Sequence, residues 1–340
     1  MAPAPRNVCI TAADGQTGFL IAELLLTSDQ FKKSIDSVSA LTLHPTSAKV
    51  KELQKLGAVI VPHKPGRVKE VIQTLKDTKC DTICLIPPTH VDKFDITLEM
   101  ITAAKQSGTV QNVLFISSAG CDLAERDKQP RLREFIDLET EVMKSKGDSK
   151  TPLGHSPCIL RAGFYAENLL LYAPQAQQDG VLPLPVGKDH KFAPVALGDV
   201  ALAAATVLSS KGEHGFGDEC RGQLIVLTGP MLATGDELAE AASQALGSEM
   251  KFEDISAREA KRVLHQQAGH HDQSEKEYLL EYYSLVKEGK TNYISTNAFH
   301  DLTGQHPQQP VDFFKVYAEE FKLQNGGAAE PSKKKRKTES

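Results

Sequence analysis

No window of the 340 residues approaches the ~20 uninterrupted apolar side chains that a membrane-spanning helix needs, so a membrane role is not expected. The opening MAPAPRNV lacks a basic end followed by an apolar segment, which argues against secretion and for a place inside the cell. C-x-x-C is missing too: of the six scattered cysteines, Cys80 and Cys84 come nearest and are one residue too far apart for a redox pair or a zinc knuckle. Three of the cysteines sit in runs that read as buried strands, where a thiol acts as a small hydrophobe. His270 and His271 are adjacent, but no partner follows at the i+4 spacing of a metal site, so a solvated loop is expected there and no metal anywhere.

Charge is unevenly spread. The net charge is −5, yet Lys333, Lys334, Lys335, Arg336 and Lys337 form a cationic run, and setting those five aside leaves −10 on everything else. An acidic body argues against a direct nucleic-acid face. Residues 325–340 are polar and terminal, and read as a disordered tail. The run PSKKKRK resembles a nuclear-localisation signal, which implies an import receptor and a cytoplasmic and nuclear distribution; its plainer reading is a solvated charge cluster.

What the sequence does hold is an alternation. Short apolar runs at residues 8–10, 38–43, 58–61, 82–86 and 112–116 read as strands, and helical stretches at 17–26, 48–56, 68–75 and 97–104 lie between them. Parallel strands need crossovers and helices supply them, so an α/β fold with a doubly wound parallel sheet is expected. A ligand belongs at the switch point after the first strand, where residues 11–18 read TAADGQTG. Backbone N–H groups at a helix start would hold a pyrophosphate above Gly15 and Gly18. Gly15 allows close approach of the main chain, and Gly18 lets the helix pack on the strand. Ala12 stands where a first glycine is usual. It fits easily at negative φ, whereas a left-handed conformation would cost roughly 1 kcal/mol or more.

The second strand bears on the cofactor. A site for the unphosphorylated dinucleotide places an acid about 20 residues beyond the loop, on the ribose hydroxyls. Residues 38–50 (VSALTLHPTSAKV) contain no acid and end in His44, Thr46, Ser47 and Lys49, groups suited to a 2′-phosphate and therefore to NADP(H). The competing reading is a polar turn with a helix-capping Thr46 or Ser47, and one residue can serve both purposes.

These motifs, with VLFISSA at 113–119, ILRAGFYAEN at 159–168, LTGP at 227–230, ELA at 237–239 and ALG at 245–247, resemble the NmrA-like branch of atypical short-chain dehydrogenases over roughly residues 6–320. The resemblance implies a Rossmann-like NADP-binding domain over residues 1–160 and a smaller α+β C-terminal lobe over 161–324. It aligns the family's A-T-G-x-x-G with Ala13, Asp14, Gly15, Gln16, Thr17 and Gly18, after Thr11 of the same loop. Pro87 and Pro88, with Lys93 beyond them, fall where the family's backbone passes the adenine ribose and diphosphate. Ser117 and Ser118 close the fifth strand, and Phe164, Tyr165, Glu167 and Asn168 correspond to a loop beside the nicotinamide. After the third strand the usual aspartate is replaced by His63 and Lys64.

No catalytic residue is expected. A reducing member typically uses Tyr four residues before a Lys after the fifth strand. No tyrosine lies between Ile116 and Arg161, and Glu139 occupies the place of the lysine that reductase-like relatives keep. Tyr283 and Lys287 match the spacing but lie in a helical stretch of the C-terminal lobe, where chance accounts for it. The aromatic segments 278–287 and 311–321 read as core, or as partner anchors if left uncovered. Three readings follow: an NADP(H) sensor that signals to a regulatory protein partner, which this inventory favours; an NADPH-dependent quinone-type reductase with a pocket beside Tyr165; and an interaction protein with a vestigial nucleotide site.

Overall fold

The computed structural model describes residues 5–144, 157–267 and 273–323. The expectations for His270, His271 and the tail 325–340 with its cationic run lie outside the described residues.

The strands are β1 (Arg6–Ile10), β2 (Ile35–Thr42), β3 (Val59–Pro62), β4 (Thr82–Leu85), β5 (Asn112–Ser118), β6 (Cys158–Ala162), β7 (Val181–Leu184), β8 (Leu224–Leu227) and β9 (Lys251–Asp254). In the first half the helices are α1 (Gln16–Thr27), α2 (Asp29–Lys32), α3 (Ala48–Lys55), α4 (Val68–Asp77), α5 (Lys93–Ser107) and α6 (Pro130–Met143). A 3₁₀ segment (Ala166–Tyr172) precedes α7 (Ala173–Asp179), α8 (Leu197–Ser209), α9 (Gly235–Leu246), α10 (Ala257–Gln267), α11 (Gln273–Lys287), α12 (Ala298–Thr303), α13 (Pro310–Val316) and α14 (Ala318–Phe321).

Among the described residues seven strands form one sheet in the order β3-β2-β1-β4-β5-β6-β8, with every neighbouring pair parallel. The order reverses between β1 and β4, so their carboxyl ends part and leave a crevice. The central strands are buried on both faces, which is why they read as continuous apolar runs. One apolar cluster joins α1 and α8 to one face; another joins α4 and α5 to the other.

The C-terminal lobe has its own cluster around β7 and β9, which pair in parallel, with α9, α11 and α13 packed over them. Phe313, Phe314 and Phe321 are buried in that cluster and Tyr317 is half-buried against it, so these rings are core and do not form an uncovered anchor. One expectation is corrected. The lobe expected over 161–324 does not hold all of that range, because Leu224–Leu227 is the edge strand β8 of the main sheet. The chain leaves β6, builds β7 in the lobe and returns through α8, a crossover long enough to deliver a parallel neighbour.

Candidate functional site

At the switch point, Thr11 ties the two diverging strands together. Its hydroxyl donates to the Ile86 carbonyl at 3.1 Å and accepts from the Ile86 N–H at 2.7 Å. Ala12 then turns the chain at φ +47°, so the condition of negative φ is not met: the turn survives with an alanine in the left-handed region. The Ala13 N–H returns to the Leu41 carbonyl, and the Gly15 N–H to the Ala12 carbonyl. Gly15 is the N-cap of α1 and supplies no side chain, and the first turn carries no acid. A Cβ on Gly18 would lie 2.5 Å from the Ala12 carbonyl oxygen, and one on Gly15 3.2 Å from the same atom. Side chains are thus excluded where the loop folds onto the helix, and the first N–H groups of α1, which have no acceptor within the helix, face the crevice. This cradle fits a pyrophosphate.

The crevice is a cleft of about 950 Å³. Of the residues expected at the cofactor, it brings together Asp14, Gly15, Gln16, Thr17, Gly18, His44, Ser47, Lys49, Pro87, Pro88, Lys93, Ser117, Ser118, Tyr165 and Asn168. His44 is exposed at its basic end. Asp14 does not stand free there: it accepts from the Thr42 hydroxyl at 2.7 Å, and that hydroxyl accepts from the His44 N–H at 3.0 Å. The loop carboxylate is therefore tied to the end of β2. Ser47 Oγ accepts from the Val50 N–H at 3.3 Å, so the helix-capping role holds while the residue still lines the cleft.

Five expected residues do not line this cleft. Thr11 and Ala13 are buried beneath the loop, and Thr46 points to solvent. Phe164 is buried among Phe192, Tyr282 and Tyr283, each ring 5.4 Å away. Glu167 accepts from the Leu197 N–H at 2.9 Å and so caps α8, and burial raises its pKa. In a loop these side chains alternate between cleft and core, a pattern invisible in the sequence.

His63 is buried beside the loop in a small cavity with Thr11, Ala12, Leu43 and Pro88. A carboxylate of α5 stands beside it. Glu99 Oε2 lies 3.6 Å from His63 Nε2, and the same carboxylate accepts from the Gly66 N–H at 2.7 Å. Burial, outweighing the attraction of Glu99, lowers the His63 pKa.

At the opposite end, the two serines of β5 have different company. Ser117 donates to Glu139 Oε1 at 2.5 Å, while Arg161 donates to both Glu139 oxygens at 2.8 Å and pairs with Asp122 at 3.0 Å. The hydrogen bond to Glu139 is the main cause that raises the Arg161 pKa. Glu139 is buried, does not line the cleft and forms half of an ion pair with Arg161. Ser118 Oγ lies 2.8 Å from Tyr278 Oη of α11, in a hydrogen bond that either can donate. Tyr165 Oη meets Thr17 Oγ1 at 3.4 Å, and burial pushes its pKa up to about 12. Lys93 donates to the Arg131 carbonyl at 2.7 Å, lies 3.2 Å from Glu134 and stands 4.2 Å over the Phe135 ring. Its ammonium thus fastens α5 to α6, and burial lowers its pKa.

Tyr278, Arg131 and Phe135 line the cleft and were not anticipated. Tyr278 sits in an aromatic helix whose neighbours Tyr282 and Tyr283 are core, and nothing local marks the one ring that faces outward. The Tyr283 and Lys287 spacing is structural, since Tyr283 packs against Phe164 and Tyr172 while Lys287 pairs with Asp254 at 3.4 Å.

Fold and cleft define a doubly wound α/β protein with a dinucleotide-type cradle and a second lobe closing the far end. The chain belongs to the NmrA-like family, whose model matches residues 5–310. It is 28% identical to quinone oxidoreductase 2 of Escherichia coli K12 over 250 residues, which is 73% of this chain and 78% of that protein. It is 25% identical to an NAD(P)H azoreductase of Xenophilus azovorans over 184 residues; that match spans 54% of this chain and only 58% of the azoreductase. Among solved structures, the Escherichia coli NADPH-dependent quinone oxidoreductase complexed with NADPH superimposes with a TM-score of 0.74 at 22% identity, covering 92% of this chain and 99% of that one. The Citrobacter sp. triphenylmethane reductase complexed with NADP(H) gives 0.71 at 18%, with 92% and 99% covered. At these identities the superpositions speak for the fold.

Proposed function

We propose that this chain is an NADP(H)-dependent reductase that passes a hydride to a flat, conjugated acceptor of the quinone type. The observation that carries the proposal is the continuous cleft of about 950 Å³, which runs from the uncapped start of α1 to the hydroxyl groups of Ser118 and Tyr278. That volume lies near the top of the roughly 300–1,000 Å³ usual for small-molecule sites, in keeping with a dinucleotide and an acceptor side by side. Backbone at Gly15 and Gly18 would hold the pyrophosphate, and His44, Ser47 and Lys49 the 2′-phosphate. The bound cofactor supplies the hydride. Tyr165, Phe135 and Tyr278 give the acceptor end aromatic walls. The quinone and azo reductases among the relatives, and neighbours bound to NADPH or NADP(H), support the same class.

One observation favours a second reading, a sensor of the NADPH/NADP⁺ state. The lysine position is occupied by Glu139, locked to Arg161, and the local Tyr and Lys pair is missing. In that reading the cofactor alters the cleft loops, a regulatory protein reads the change, and the 333–337 run engages an import receptor, giving cytoplasmic and nuclear pools without nucleic-acid or membrane contact.

Calorimetric titration with NADPH, NADP⁺, NADH and NAD⁺, followed by NADPH oxidation with a quinone panel, tests both readings. Tight binding with turnover is expected, and tight binding without turnover makes the sensor reading lead. His44→Asp should cost about tenfold or more of the preference for NADP(H), because a charged hydrogen bond contributes roughly 1.5–3 kcal/mol. An unchanged ratio would mean that the 2′-phosphate lies elsewhere.

A further inference from the structure

Ser118 and Tyr278 are 160 residues apart in sequence and 2.8 Å apart in space. Their meeting is fixed by the way α11 is fastened to α6. Arg131 donates to Glu277 at 2.6 Å, the Leu132 N–H to Glu281 at 2.9 Å, and Gln129 to Ser284 at 3.0 Å, so contacts flank Tyr278 on both sides along the helix. The ring of Phe135 meets Tyr278 edge-on at 6.1 Å and limits its rotation. Tyr278 is half-buried, and both residues line the cleft.

We infer that Tyr278, oriented by Ser118, is the proton donor to the acceptor, replacing from the C-terminal lobe the tyrosine that the first domain lacks. The inference rests on the reductase reading above. A quinone gains two electrons and one hydrogen as hydride from NADPH, which leaves as NADP⁺. The second hydrogen is the proton of Tyr278 Oη: that O–H bond breaks and a new O–H bond forms on the acceptor oxygen, so the quinone departs as a hydroquinone. The phenolate left behind is reprotonated from solvent through the Ser118 hydroxyl, which donates one proton as it accepts another, so the serine stays neutral. Donor and acceptor are both phenol-type oxygens, so the proton moves as negative charge builds on the acceptor oxygen during hydride arrival. Burial holds the Tyr278 pKa above its ordinary value, which keeps the phenol protonated until charge develops on the acceptor. Two other cleft groups already have partners: Tyr165 is paired with Thr17, and Lys93 with Arg131 and Glu134.

The test compares wild type, Tyr278→Phe, Ser118→Ala and Ser118→Thr, using the full chain and menadione as probe. NADPH binding, read by nicotinamide fluorescence, establishes for each variant that the cofactor site is folded and loaded before turnover is compared. Tyr278→Phe should lower kcat/KM for menadione by about 100-fold and abolish the solvent deuterium isotope effect, within the range expected for loss of a general acid. Menadione affinity for the NADP⁺ complex, read by calorimetry, should fall about tenfold in the same variant. Ser118→Ala should lower kcat more than it raises KM, and Ser118→Thr should restore it. Wild-type turnover and probe affinity in Tyr278→Phe would overturn the assignment. If wild type binds NADPH but does not turn over, the reductase reading fails while the affinity comparison still decides the pair: a loss confined to Tyr278→Phe upholds a carbonyl contact, and equal affinities refute it. Wild type that fails to bind menadione at all overturns the proposal.

Discussion

Ser117 and Ser118 are consecutive residues of one strand and both line the cleft, yet their hydroxyls have opposite kinds of partner. Ser117 faces a closed charge cluster in which Glu139 and Arg161 satisfy one another, a structural element with little freedom. Ser118 faces a half-buried phenol at the edge of an open cleft. Side chains alternate across a strand, so one step along β5 exchanges a charged partner, Glu139, for a phenol, Tyr278. The difference shows how much depends on which lobe reaches the strand end: Glu139 of α6 is held in an ion pair, while the Tyr278 hydroxyl reaches the cleft from α11.

The comparison breaks most visibly on the closed side. Glu139→Ala strands the Arg161 guanidinium against Asp122 alone and should cost about 3–5 kcal/mol in chemical denaturation, the usual result of removing one partner from a buried pair. NADPH affinity of the folded fraction should stay within about twofold. If affinity collapses with stability unchanged, the two serine regions are not separate. Next in size, Ala12→Gly leaves both regions alone and tests the cradle. It removes roughly 1–2 kcal/mol of left-handed strain and returns about 0.4–1 kcal/mol to the unfolded chain, so a net gain of up to about 1.6 kcal/mol should appear as a small rise in Tm. A fall in Tm would show that the alanine methyl packs usefully.

The smallest effect concerns His63, beside the loop. Its folded pKa is lowered, so the unfolded chain binds the proton more readily. Its contribution is present above the ordinary histidine value of about 6.5 and is lost as pH falls below it. His63→Phe should therefore flatten the decline in stability between about pH 7 and pH 5 relative to wild type. An identical slope would show that Glu99 offsets the burial completely.

How much was legible follows distance along the chain. The cradle, the alternation and the acid-free turn after β2 are local patterns, and the described fold and cleft contain them. The left-handed Ala12 was not legible, because alanine at that position is compatible with either sign of φ. Leu224–Leu227 gives no hint of its neighbour, and its place beside β6 depends on the crossover through α8. Phe164 and Glu167 share a segment with Tyr165 and Asn168, and only packing decides which of them face the cleft. The absence of an aspartate after β3 was plain, whereas the approach of Glu99 to His63 comes from a helix 36 residues on. Tyr278 is the extreme case, since its role exists only through a contact between the lobes.

The most direct test of the central claim, that this cleft carries hydride chemistry, is an anaerobic single-turnover experiment. NADPH-loaded protein is mixed with stoichiometric menadione and nicotinamide absorbance is followed, with ordinary cofactor and with cofactor deuterated at the transferring position. The account predicts a first-order loss of absorbance that slows with the deuterated cofactor. Absorbance that stays constant with menadione bound would contradict it.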